Sequence, residues 1–127
     1  MPYNADNVLV INPADNSTSN IDISGVGLSA GGSKFYGGTL GMDGKIYGVP
    51  RNAQKILIVD PETDGLDTID LSGVTGFSDT GNQYSGAVLS PNGKIYFAPV
   101  NSNNVLILKT GLPKIPQWVL APEFNKF

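Results

Sequence analysis

The stretch PRNAQKILIVDP, at residues 50–61, occurs in related form twice more in this chain. Residues 2–13 read PYNADNVLVINP at an offset of 48, and residues 99–108 read PVNSNNVLIL at an offset of 49. Two further blocks recur in the same order. They are IDISGV at 21–26 with IDLSGV at 69–74, and GGTLGMDGKIYGVP at 37–50 with GAVLSPNGKIYFAP at 86–99. Blocks that recur in one order and one register indicate an internal repeat.

Each repeat is typical of four short strands. The Asp-Gly pair at 43–44 and the Asn-Gly pair at 92–93 favour tight hairpins, because glycine supplies a positive φ there. The apolar run at 56–59 predicts a strand covered on both faces, whereas 67–71 alternates like a half-exposed strand. No stretch predicts a long helix, and loops rich in Gly and Ser join one repeat to the next. The sequence therefore predicts an all-β fold.

Composition excludes several classes of function. The chain has 127 residues, a length typical of one domain, and it contains no His and no Cys. Catalytic Ser-His-Asp or Cys-His groups, zinc sites built on His or thiolate, and disulfides are therefore excluded. The net charge of −3 argues against nucleic acid as a partner. No apolar run is long enough to predict a membrane span, and the N-terminal residues do not predict a leader peptide.

The repeat resembles a β-propeller blade in its four strands, its period near 48, its small residues in the first strand and its GKIY second strand. The stretch ILIVDPETD at 56–64 is similar to the third strand and turn of NHL and YVTN-like repeats. The resemblance covers residues 2 to about 110. It implies a partial β-propeller of about 2.5 four-stranded antiparallel blades, and it implies no particular activity.

The repeat boundaries predict a single domain over residues 1–127, divided into four segments. Open blade edges would invite pairing with another chain, so we expect a homo-oligomer closed through those edges. The alternative is that the chain is the C-terminal piece of a longer propeller. The predicted segments are a half blade and linker at 1–34, a full blade at 35–83, a partial blade at 84–110 and a non-repeat tail at 111–127.

Asn4, Asn52 and Asn101 occupy the same position in successive repeats and are the candidate ligand-binding residues. A polar side chain repeated at one end of every blade could line a rim that binds a glycan, a peptide or a partner protein. The alternative is structural, since Asn tolerates a left-handed backbone and bonds its own turn.

The remaining sequence patterns are weaker evidence for a functional site. Asp60–Gly65 begins like a calcium loop, but the twelfth position, which should carry a bidentate Glu, is Leu71. We expect a structural role for the remaining candidates, which are Tyr47 and Tyr96 in the blade core, Lys45 and Lys94 beside the hairpins, Asp22 and Asp70 facing solvent, and Trp118 packing in the tail.

The sequence favours a non-catalytic binding or scaffold module, with no catalytic residue, no metal site and no cofactor predicted. The alternatives are a metal-dependent propeller hydrolase, such as a lactonase-like enzyme, and a fragment with no function of its own.

Overall fold

The computed structural model describes residues 1–28, 32–77 and 80–112. These ranges form three antiparallel sheets, which we name the N-terminal, central and C-terminal sheets. The N-terminal sheet holds β1 (Asn7–Ile11) and β2 (Thr18–Asp22), the central sheet holds β3 (Phe35–Leu40), β4 (Ile46–Pro50), β5 (Lys55–Asp60) and β6 (Gly65–Asp70), and the C-terminal sheet holds β7 (Tyr84–Leu89), β8 (Lys94–Pro99) and β9 (Leu106–Lys109).

The strands follow one another across each sheet in chain order. Apart from one turn of 3-10 helix at Ser24–Val26, the described ranges contain no helix. The prediction of an all-β fold is thus confirmed. None of the described residues belongs to a helix with the length and apolar character needed to cross a membrane.

The hairpins form at the Asp-Gly pair 43–44 and the Asn-Gly pair 92–93, as the sequence predicts. Gly44 and Gly93 adopt φ values of 83° and 81°, a left-handed conformation that residues with a Cβ rarely adopt. These turns set the register, in which Leu40 pairs with Ile46 and Leu89 pairs with Ile95. The sequence predicts the first strand of each repeat at the small-residue runs 37–40 and 86–89. The structure begins these strands two residues earlier, at Phe35 and Tyr84, and each has an irregular register near its start.

Strand β5 separates two hydrophobic cores. Its residues Ile56 and Ile58 pack in a core shared with the C-terminal sheet, where Phe97 and Tyr84 are also buried. Leu57 and Val59 face the opposite way, into the core that includes Phe35 and Ile23 together with Val8 and Ile21 of the N-terminal sheet. The continuous apolar run at 56–59 therefore forms a strand buried on both faces, as its sequence predicts.

The first strands of neighbouring sheets lie close together. Strand β7 contacts both β3 and β4. Since β3 and β7 occupy the same position in consecutive repeats, they bring the glycine-rich segments of the two sheets to a common side of the molecule. Trp118 and the rest of the tail from residue 113 lie outside the described residues.

Candidate functional site

The predicted asparagines lie in turns, each two residues after a proline, and their side chains bind the loops that join the sheets. The side-chain oxygen Oδ1 of Asn4 accepts a hydrogen bond from the backbone N–H of Ser33 at 2.7 Å. Oδ1 of Asn52 accepts one from the N–H of Asn82, also at 2.7 Å. Ser33 and Asn82 are equivalent residues of the two connecting loops, and both have positive φ.

The amide nitrogens of the asparagines make a second repeated bond. Nδ2 of Asn52 donates to the carbonyl of Gly32 at 3.2 Å, and Nδ2 of Asn101 donates to the carbonyl of Gly81 at 3.1 Å. Gly81 has a φ of 84°, and a Cβ built there would lie 3.0 Å from Oδ1 of Asn52. The loop therefore needs glycine in order to approach the asparagine.

These bonds differ from the structural alternative drawn from the sequence. The asparagine side chains bond loops 20 to 30 residues away in the chain, not their own turn. All three asparagines are exposed, so their participation in ligand binding stays a prediction. Their hydrogen bonds show how the repeated position fastens each connecting loop.

The residue that precedes each asparagine differs among the repeats, and there the structure places a compact aromatic and cationic cluster. The guanidinium carbon of Arg51 lies 5.2 Å from the ring centre of Tyr3 and 5.7 Å from that of Tyr36. Nη1 of Arg51 also donates a hydrogen bond to the phenol oxygen of Tyr3. Tyr3 and Tyr36 stay 40% and 54% exposed, so both rings remain accessible to a ligand.

This Tyr3–Arg51–Tyr36 cluster borders two cavities of about 400 Å³ and 300 Å³, which share Tyr36 and Ser85. We call the two together the rim cleft. The larger cavity is lined by Met1, Tyr3, Phe35, Tyr36, Gly37, Gly38, Val49, Ser85, Gly86 and Ala87. The smaller cavity is lined by Tyr36, Arg51, Asn82, Ser85 and Val100.

Within the part of the chain that the structure describes, Arg51 carries the only charged side chain that lines the rim cleft. A guanidinium held against aromatic rings keeps its charge and offers further N–H donors in a fixed plane. Such donors match a carboxylate, which can accept two parallel hydrogen bonds. The adjacent tyrosine rings present flat surfaces on which an apolar or ring-shaped group can stack.

Of the other residues considered from the sequence, Tyr96 does not lie in the core as predicted: it is half-buried and belongs to neither buried core. Tyr47 is buried in the core between the central and C-terminal sheets, and its hydroxyl donates to Oδ2 of Asp43 at 2.8 Å. Burial and the neighbouring carboxylate both raise the pKa of Tyr47 above its usual value. Asp22 and Asp70 are exposed, and each accepts a hydrogen bond at 2.8 Å from the N–H of a serine two residues later. These bonds lower the pKa of both carboxyls.

The calcium-like turn at 60–65 is a hairpin turn stabilised by its own side chains. Oδ1 of Asp60 accepts from the N–H of Glu62, and Oγ1 of Thr63 accepts from that of Gly65. Asp64 adopts a positive φ of 55°. Over residues 1–28, 32–77 and 80–112, no group of three or more His, Cys, Asp or Glu side chains is placed to hold a metal ion.

Sequence reasoning did not identify Tyr3, Arg51 or Tyr36 as site residues. The available signal was the contrast between a constant Asn and the variable residue before it, which is Tyr, Arg and Val in successive repeats. A position that varies within an otherwise regular repeat is not constrained by the packing and turn geometry that all copies share.

Comparisons with known proteins give the fold. Neither a known protein family nor a curated protein matches the sequence. One solved structure that is similar to this chain is a catalytically inactive variant of virginiamycin B lyase from Staphylococcus aureus, crystallised with quinupristin. The TM-score is 0.56 at 20% sequence identity, and the match covers 87% of this chain but 36% of the lyase chain. Because the lyase is a β-propeller, the chain has a propeller-like fold.

Proposed function

We propose that this chain is a non-catalytic binding module built from about 2.5 blades of the NHL or YVTN-like type, and that the rim cleft holds its ligand. In this interpretation the N-terminal sheet is a half blade, the central sheet is a complete blade and the C-terminal sheet is a partial blade. The observation that supports a binding role is the Tyr3–Arg51–Tyr36 cluster, which combines two exposed aromatic rings with an oriented cation beside an open cleft.

The chemistry of the cleft favours an acidic glycan as the ligand. A sugar ring can stack on the exposed faces of Tyr3 and Tyr36, while its carboxylate accepts hydrogen bonds from Arg51. The glycine-rich lining of β3 and β7 lets the ligand approach the backbone closely. Ser85, which is shared by both cavities, adds a hydroxyl that can bond sugar hydroxyls.

The test is calorimetric titration of the full chain with tetragalacturonate and with a neutral galacto-oligosaccharide of equal length. We expect the acidic probe to bind and the neutral probe to bind at least about tenfold more weakly, because hydrogen bonds to charged groups contribute roughly 1.5–3 kcal/mol. Arg51→Ala should weaken binding of the acidic probe by about the same factor. Lys45→Ala is the matched control, since Lys45 is a partly exposed cation outside the rim cleft.

Circular dichroism and the melting temperature of each variant would establish that it folds. Equal affinity for the two probes, no binding of either, or an Arg51→Ala variant that binds like wild type would overturn the proposed ligand class. Binding of a short acidic peptide in place of both sugars would also overturn it.

A further inference from the structure

The C-terminal sheet exposes an apolar face. Val88 of β7 is 62% exposed, and Ile107 of β9 and the adjacent Val105 are each 53% exposed. Tyr96 of β8 is half-buried and lies opposite Ile107 in the strand register. We call this surface, defined by Val88, Tyr96, Val105 and Ile107, the leading face.

The repeat shows what such a face is built to contact. Val105 and Ile107 are the equivalents, at an offset of 49, of Ile56 and Ile58 in the central sheet. Ile56 is 1% exposed and Ile58 is 8% exposed, because the C-terminal sheet covers them. The leading face is therefore a second copy of a surface that buries itself against another sheet of the same kind.

The N-terminal sheet exposes the complementary surface. Leu9 and Ile11 of β1 are each 60% exposed. Their equivalents at an offset of 48, Leu57 and Val59, are 0% and 3% exposed and share a core with the N-terminal sheet. We call the surface around Leu9 and Ile11 the trailing face.

Charged side chains lie near one end of the leading face and in the turn that follows β1. Lys94 and Lys109 lie opposite each other in the register of β8 and β9, at one end of the leading face. Asp15 lies in the turn that follows β1. This turn begins at the position that corresponds to Lys109 in the repeat. An acidic side chain on the trailing side would offset the repulsion between two cations placed opposite each other.

We propose that the leading face of one copy of this chain packs against the trailing face of a second copy, repeating between chains the sheet-to-sheet contact that the chain makes within itself. The internal contacts supply the geometry, and the exposed apolar residues supply the burial that drives association. The two faces differ, so the contact is heterologous and joins copies head to tail.

The test is sedimentation velocity of the full chain over a series of concentrations. We expect wild type to self-associate, and Leu9→Lys and Ile107→Lys each to weaken association at least about tenfold, because each variant would bury a charge in the contact. Leu112→Lys is the matched control, since Leu112 is 88% exposed and lies on neither face. Melting temperatures near that of wild type would show that the variants fold.

Mixing the variants distinguishes head-to-tail contact from a contact between like faces. The Leu9→Lys chain keeps an intact leading face, and the Ile107→Lys chain keeps an intact trailing face. An equimolar mixture should therefore form a heterodimer at concentrations where each variant alone is monomeric. A wild type that is monomeric at every concentration would overturn the proposal, and so would an oligomer that Leu9→Lys leaves unchanged.

Discussion

Replacing Leu57 by alanine tests whether the face of β5 that packs against the N-terminal sheet contributes the stability that the structure implies. The side chain is fully buried, with 0% exposure, in the core between the N-terminal and central sheets. A Leu→Ala change at such a site loses the transfer free energy of the removed atoms and leaves a cavity. We expect the free energy of unfolding to fall by about 3 kcal/mol.

Leu9→Ala is the control matched by repeat position. Leu9 occupies the equivalent strand position one repeat earlier, but it is 60% exposed. Less than half of its surface is withdrawn from water, so the same change should cost about 1 kcal/mol or less.

Both substitutions should be measured by thermal unfolding followed by circular dichroism, in the Ile107→Lys background. That background prevents a second copy from covering Leu9. For a chain of 127 residues, 3 kcal/mol corresponds to a fall in melting temperature of about 10 °C, against about 3 °C or less for the control. Equal falls in melting temperature for the two variants would refute the assignment of a covered face at Leu57 and an open face at Leu9.

Three further outcomes follow from single contacts. Asn52→Ala should lower the free energy of unfolding by about 1 kcal/mol in urea titrations, because the amide of Asn52 is hydrogen-bonded to the connecting loops. The affinity for tetragalacturonate should stay unchanged. A loss of affinity without a loss of stability would instead assign Asn52 to ligand binding. Tyr47→Phe should cost about 1 kcal/mol at neutral pH through the lost bond to Asp43. Because the pKa of Tyr47 is raised in the folded state, the tyrosine stabilises the fold fully below about pH 10, and this stabilisation declines at higher pH. The difference in free energy of unfolding between wild type and Tyr47→Phe should therefore narrow above about pH 10. A difference that stays constant to about pH 12 would contradict this. Asp70 has a lowered pKa, so its contribution is present above its ordinary pKa and is lost as the pH falls through and below about 4; Asp70→Asn should make the acid dependence of stability shallower, and an unchanged profile would argue against it.

Local chemistry made the strands and hairpins predictable. The Asp-Gly and Asn-Gly turns need a positive φ, which glycine supplies within a few residues of sequence. The apolar run at 56–59 can be satisfied only between two covering layers, and the structure provides one on each side. These features depend on neighbours close in sequence or on simple burial, and periodicity reports both.

The rim cleft was not predictable in the same way, because its contacts join residues far apart in the chain. Arg51 meets Tyr3 at a separation of 48 residues, and it meets Tyr36 across the paired strands β3 and β4, where Phe35 lies opposite Pro50. No periodicity indicates which side of a turn an arginine will occupy. The repetition of the asparagines made them recognisable in the sequence, but the identity of their partners depends on the path of loops that are rich in Gly and Ser.

The bonds between the asparagines and the connecting loops also bear on how such a chain can evolve. The first two repeats each encode an asparagine amide and, about 30 residues later, a connecting loop whose left-handed residue donates a hydrogen bond to that amide. A duplicated gene segment of one repeat would therefore supply its product with both parts of the attachment. New sheets could be added without inventing a new contact, because each one depends only on its neighbours.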